Sequence, residues 1–234
     1  LCSLPFFGKR FYPMKYLNNP DRLASLLAQL WQGLGVTMSL FGYTLLFSLP
    51  LGLVLALMRM SRNKAVRYPV QLFILVMRGT PLILQVFTVY FVLPMIFGTA
   101  FERLTAVVIA FVMNYAAYFA EIYRGGVQAV PEGQREAAHV LGFTRGQAFV
   151  RIILPQLIKR IVLPVSNEVI TLVKDTALVT AVGMVELYRV ARNAASTVGS
   201  LEPLFIAGAI YLIINAVISF LFDRANRYFA YYQG

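Results

Sequence analysis

Long apolar runs alternate with short polar connections along the chain. Five runs reach the roughly 20 helical residues that a bilayer core about 30 Å thick requires: residues 34–58, 73–97, 105–123, 161–183 and 204–222. Pro50, Pro94 and Pro164 fall within or at the ends of these runs. A membrane helix accepts a kink there when neighbours satisfy the freed carbonyls, so bent helices are expected. Ahead of the first run, residues 18–32 carry Leu23, Leu26, Leu27, Leu30 and Trp31, which predicts an amphipathic interfacial helix with those residues toward lipid. No strong repeat or low-complexity linker divides the chain. The expected fold is therefore all-α: a polytopic membrane protein with about five transmembrane helices, comprising an N-terminal segment over 1–32 and one transmembrane domain over 33–234.

Composition agrees, with 59% hydrophobic and 13% charged residues and a mean hydropathy of +0.70, beyond what a water-soluble domain of this size needs. A net charge of +11 would point to nucleic acid in a soluble protein. Here the basic residues gather beside apolar runs, as topology signals do, which argues against a nucleic-acid partner. The first connection holds Arg59, Arg62, Lys64 and Arg67; the third, over 124–160, holds Arg124, Arg135, Arg145, Arg151, Lys159 and Arg160; the tail holds Arg224 and Arg227. These read as cytoplasmic, which places the C-terminus inside and the N-terminus outside an inner membrane. Lys9, Arg10, Lys15 and Arg22 run against that placement. Cys2 is the only cysteine and His139 the only histidine, so neither an internal disulfide nor a His/Cys metal cluster is expected. Nucleophilic or metal-assisted catalysis has little to work with.

The polar third connection reads as two short helices. Pro131 suits a first helical position, Glu132 favours the positive end, and Gly142 is the expected terminator. Thr144 with Gln147 forms a capping-box pattern, and Pro155 limits the helix that starts at Gly146. The pair predicts a surface helix-turn-helix, small at Ala137, Ala138 and Gly142, where another protein can approach. His139 reads as a contact residue.

Within it stand Glu136, Ala137 and Ala138, then Gly142, then Ile152, Leu154 and Pro155. That spacing resembles the EAA signature of the permease subunits of type I ABC importers. Arg78-Gly79-Thr80-Pro81-Leu82, Ala120-Glu121-Ile122-Tyr123-Arg124-Gly125-Gly126, Asn167-Glu168, Leu172 and Lys174-Asp175-Thr176 are similar to the polar amino acid uptake branch. The resemblance implies a permease that moves a polar amino acid inward by alternating access, its loop docking into a separate ATP-binding subunit. It also implies a second permease subunit, identical or related, and an extracytoplasmic solute-binding protein. No G-x-x-x-x-G-K-[ST] phosphate loop occurs in the chain. It is accordingly expected to be a transport subunit and not an enzyme, binding no cofactor itself, with ATP and Mg held by the partner ATPase.

Charges inside a span each cost about 2.5 to 3.5 kcal/mol at a helix centre and need partners or water. Asn167, Glu168, Lys174 and Asp175 form a polar stripe with Thr171 on the fourth run, and Asn114, Tyr118 and Glu121 a similar one on the third. Facing each other, the stripes would line a substrate path offering both signs of charge. Arg78 either snorkels or pairs with Glu121 or Glu168 in a gate. Two alternatives stand beside this reading. The charges can instead hold helices together, or Glu168 and Asp175 can couple an ion gradient in a secondary amino acid transporter, although the inverted repeats of that class are not evident.

Overall fold

In the computed structural model, residues 15–98 and 101–229 are described, and their regular elements are all helical. The first, α1 (Pro20–Arg59), starts cleanly because the Asn19 side chain accepts from the Arg22 N–H, Pro20 needs no donor, and Asp21 complements the positive helix end. It runs unbroken for 40 residues. The expected boundary near residue 33 is absent, and Leu26 and Leu30 do not face lipid. Both are fully buried against Leu187, Val190, Ala191 and Ala207, leaving Leu27 and Trp31 exposed.

Farther along α1, Thr37, Leu40, Thr44, Ser48, Gly52 and Ala56 are buried at steps of three and four, forming a seam of mostly small residues. That seam lets α5 (Arg103–Gln128) approach closely. A Cβ on Gly52 would lie 2.8 Å from the Phe119 Cβ and 3.1 Å from the Ala116 carbonyl. The two helices run in the same direction, and their C-terminal ends meet where Arg59 reaches Glu121.

The second expected span is broken. It comprises α2 (Lys64–Gly79), α3 (Leu82–Phe87), a π turn (Thr88–Val92) and α4 (Leu93–Phe97), with α2 bent by 110° from the rest. Arg78 to Leu82 therefore lies at the break. Thr80 and Pro81 are extended, freeing carbonyls that two buried amides collect. Asn114 Nδ2 donates to the Met77 carbonyl and to Gln85 Oε1, both at 3.0 Å. Gln85 Nε2 donates to Met77, at 2.9 Å, and to Thr80.

After α5 come α6 (Glu132–Val140), α7 (Arg145–Ala148), a second π turn (Phe149–Ile153) and α8 (Leu154–Asp175). A 3₁₀ segment (Thr176–Val182) follows and ends at Gly183, whose φ of 83° requires glycine. Next are α9 (Leu187–Val198) and α10 (Glu202–Phe229). By length and composition, 3 described helices, α1, α5 and α10, can cross a membrane, or up to 4 if the bent pair counts as one span. The fourth expected span, α8, has the length but falls outside that group, since it carries the polar stripe. It packs against α5 and α10.

At the end of the bundle away from α6, Glu186 caps α9. Its carboxylate is wholly buried and accepts from the N–H groups of Tyr188 and Arg189, each at 2.7 Å, and from the Tyr211 hydroxyl at 3.2 Å. Burial pushes this carboxyl up, against the pull of those three donors. Beside it the Tyr16 N–H donates to Glu202, and the Lys15 ammonium to the last carbonyl of α9. The start of the described chain is thus tied to the end opposite the polar loop.

Candidate functional site

The polar loop forms its helices by local chemistry. Pro131 stands one residue before α6, not at its first position, and the helix stops in a Schellman motif. The Phe143 N–H bonds the Ala138 carbonyl and the Gly142 N–H the His139 carbonyl, with Gly142 at a φ of 77°. The Thr144–Gln147 capping box is present in both directions. Pro155 does not end the helix that follows. It lacks an N–H and its ring crowds the Arg151 carbonyl, so the ladder widens and the Leu154 N–H reaches Phe149. Through that π turn, residues 145–175 are helical without interruption.

On this scaffold Glu136 and Ala137 are exposed, as are Val140 (86%) and Leu141 (73%). Ala138 is wholly buried, so it packs within its own chain and is not open to a partner. Ile152, Leu154 and Pro155 are partly buried, anchoring the hairpin. Gln156 at the start of α8 donates to Gln134 of α6 at 3.3 Å and to the Ile152 carbonyl at 3.0 Å. A Cβ on Gly142 would meet nothing within 4 Å.

The second locus lies where α2, α5 and α8 converge. Three arginines from different positions surround Glu121: Arg124 at 2.6 Å, Arg59 at 3.7 Å and Arg78 at 4.0 Å. The Arg78 guanidinium also stands over the Tyr118 ring, 5.2 Å from its centroid. Beside them opens a cavity of about 500 Å³ whose lining includes Arg78, Tyr118, Glu121, Arg160 and Glu168. Glu168 makes no ion pair within 4.0 Å among the described residues. The cavity therefore presents a carboxylate outside any close ion pair and partly exposed guanidinium groups on one lining.

Four residues of the expected path, Arg78, Tyr118, Glu121 and Glu168, are brought together here. The others are not. Asn114 is used in the clamp at the α2–α3 break, and Asp175 accepts from the Tyr115 hydroxyl at 2.7 Å. Asn167 and Lys174 lie on exposed positions of α8. Sequence reasoning missed Arg160, although Arg160, Pro164 and Glu168 follow at steps of four and share one helix face. It also missed Arg59 and Arg124, whose convergence on Glu121 depends on the parallel packing of α1 and α5.

Comparison with known proteins gives a consistent pattern. Residues 48–230 match the family model described as "Binding-protein-dependent transport system inner membrane component". The chain is 39% identical over 197 residues to the arginine transport system permease protein ArtQ of Bacillus subtilis, covering 84% of this chain and 90% of that one. It is 35% identical over 191 residues to the putative glutamine transport system permease protein GlnP of Rickettsia felis, covering 81% and 88%. Among solved structures, a chain of an amino acid ABC transporter with histidines superposes with a TM-score of 0.81 at 35% identity, covering 91% of this chain and 97% of that one. The MetNI methionine transporter shares the fold, with a TM-score of 0.69 at 21% identity over 91% of this chain and 99% of that one.

Proposed function

The chain belongs to the family of binding-protein-dependent transport system inner membrane components, and on that premise we propose that it is the permease subunit of an ABC importer for a polar amino acid. A separate cytoplasmic ATPase, carrying ATP and Mg, docks on α6 and the turn at Gly142. The exposed Val140 and Leu141 supply apolar contact area there, and open space at Gly142 permits close approach. The observation that carries the reading is the helical continuity from α7 into α8. Displacement of the hairpin by the ATPase acts on the same helix that presents Arg160 and Glu168 to the cavity. Coupling needs contacts that differ between two states, and a helix rigid across the π turn transmits such a difference.

The amino acid occupies the cavity, its carboxylate facing Arg78 and Arg160 and its ammonium facing Glu168. A second permease chain, identical or related, completes the path, and an external solute-binding protein delivers the substrate. The loop end and the tail face the cytoplasm, and the N-terminus lies outside. ATP-dependent uptake into proteoliposomes containing the reconstituted complex tests this. Stimulation by one amino acid in wild type, and a fall of more than about tenfold in uptake for Glu168→Gln with assembly intact, is expected for loss of a charged contact. Uptake that continues without ATP and collapses with an ionophore would instead establish the ion-coupled transporter.

A further inference from the structure

A second cavity of about 500 Å³ lies at the same end of the bundle, between the end of α1, the start of α2, the end of α5 and α6. Four of its lining side chains are arginines, Arg59, Arg67, Arg124 and Arg135, and only one is acidic, Glu132. Val127 and Val130 give it an apolar wall. Its charge is only partly balanced from behind, where Glu121 pairs with Arg59 and Arg124. Arg67 and Arg135 make no ion pair within 4.0 Å among the described residues. Arg67 is steadied by the ring of Tyr68, 5.1 Å away. The Arg59 Nε is buried and faces Glu121 Oε1 at 3.7 Å, beyond hydrogen-bond distance. Guanidinium groups from four helices, α1, α2, α5 and α6, with those of Arg67 and Arg135 outside any ion pair, form a cleft suited to a tetrahedral oxyanion, since planar guanidinium forks bind phosphate through paired N–H groups.

We propose that this cleft is a phosphate-binding site distinct from the amino acid cavity, occupied by the phosphate of an anionic phospholipid headgroup or by a free phosphate. Its place favours the lipid. It sits where basic side chains flank the apolar spans, and Leu57, Tyr68 and Leu72 nearby on α1 and α2 are exposed apolar surface for acyl chains. Because α6 contributes Glu132 and Arg135 to the lining, an occupant joins the loop to the membrane ends of α1 and α5.

Native mass spectrometry of the purified full chain in neutral detergent, with phosphatidylglycerol and phosphatidylcholine added in equal amounts, reads the site directly. Wild type is expected to retain phosphatidylglycerol in preference. The double substitution Arg67→Gln with Arg135→Gln removes two charges that stand outside the Glu121 cluster, and should weaken that retention by about 30-fold. An unchanged unfolding midpoint in phosphatidylcholine shows that the variant is folded. Displacement of the lipid by millimolar inorganic phosphate in wild type would identify a site open to free phosphate, and resistance to it a headgroup site. Equal retention of the two lipids by wild type, or retention of phosphatidylglycerol by the folded double variant at the wild-type level, overturns the proposal. Amino acid uptake by the complex enters none of these readouts, so failure here leaves the transport function standing.

Discussion

Two buried side chains show how single residues set the geometry of the cavity end and its opposite. Glu186 satisfies two orphan amide groups at the start of α9 and the Tyr211 hydroxyl, all in a site without water access from its own surface. Glu186→Ala leaves these donors unpaired and is expected to cost about 2 kcal/mol of stability. Thermal unfolding in detergent checks this, and an unchanged midpoint would show that the cap is dispensable. Asn114 acts at the break between α2 and α3, which places Arg78. Asn114→Leu keeps the branching at Cγ but leaves Gln85 Oε1 without its donor and the Met77 carbonyl with the Gln85 amide alone, and about 1–3 kcal/mol should be lost. Because the clamp holds the segment that bears Arg78, uptake by the protein that remains folded should fall as well. Residue-scale features were legible in the sequence when they were local. The Thr144–Gln147 box and the Gly142 stop need only neighbours within a few positions. Asn114 is visible in the sequence only as one polar position on the third run, since its task depends on which carbonyls the break at residue 80 frees, and that is fixed by tertiary structure.

Elements repeat one device. Each π turn, Thr88–Val92 and Phe149–Ile153, is followed by one residue and then a proline, Pro94 or Pro155. In both, the residue before the proline donates to the carbonyl five positions back, so the missing donor and the ring are accommodated without ending the helix. Reading proline as a terminator therefore divided the loop from α8, where the chain makes one helix. The same limit applies to α1. Its N-terminal leucines have an interfacial pattern, but α9 and α10 cover that face, and periodicity does not distinguish lipid from protein as the apolar neighbour. Close packing of α1 on α5 at Gly52 offers a paired test. Gly52→Ala puts a methyl against the Phe119 Cβ and the Ala116 carbonyl and should cost about 1–3 kcal/mol. Gly35→Ala on the same helix meets nothing within 4 Å and should leave the unfolding midpoint level or slightly raised. Equal behaviour of the two variants would show that the seam tolerates a wider spacing.

For the whole molecule, the proposed transport turns on the relation between the hairpin and the cavity. In the sequence the spacing from Glu136 to Pro155 and the charges around Glu168 stand apart, whereas in the proposed cycle they are linked by the helix that continues through Pro155. Pro155 makes that link a π turn whose register differs from a regular α-helix by one residue. Pro155→Ala restores an N–H and removes the ring, which allows the ladder to close on the Arg151 carbonyl. Such a change turns α6 and α7 relative to α8 by about 100° and shifts them by about 1.5 Å, one residue step of an α-helix. The exposed Val140 and Leu141 move with the hairpin, whereas Arg160 and Glu168 do not. In the reconstituted complex, Pro155→Ala should retain the ATPase and its hydrolysis while amino acid moved per ATP falls several-fold. Leu141→Asp, at an exposed position, should instead leave the isolated chain equally stable and abolish capture of the ATPase, because a buried unpaired carboxylate at the interface outweighs the lost contact. Measuring hydrolysis and uptake together on both variants separates docking from transmission. If Pro155→Ala transports at the wild-type ratio, the force does not pass through the α7–α8 helix, and the Gln134–Gln156 contact between α6 and α8 becomes the route to test.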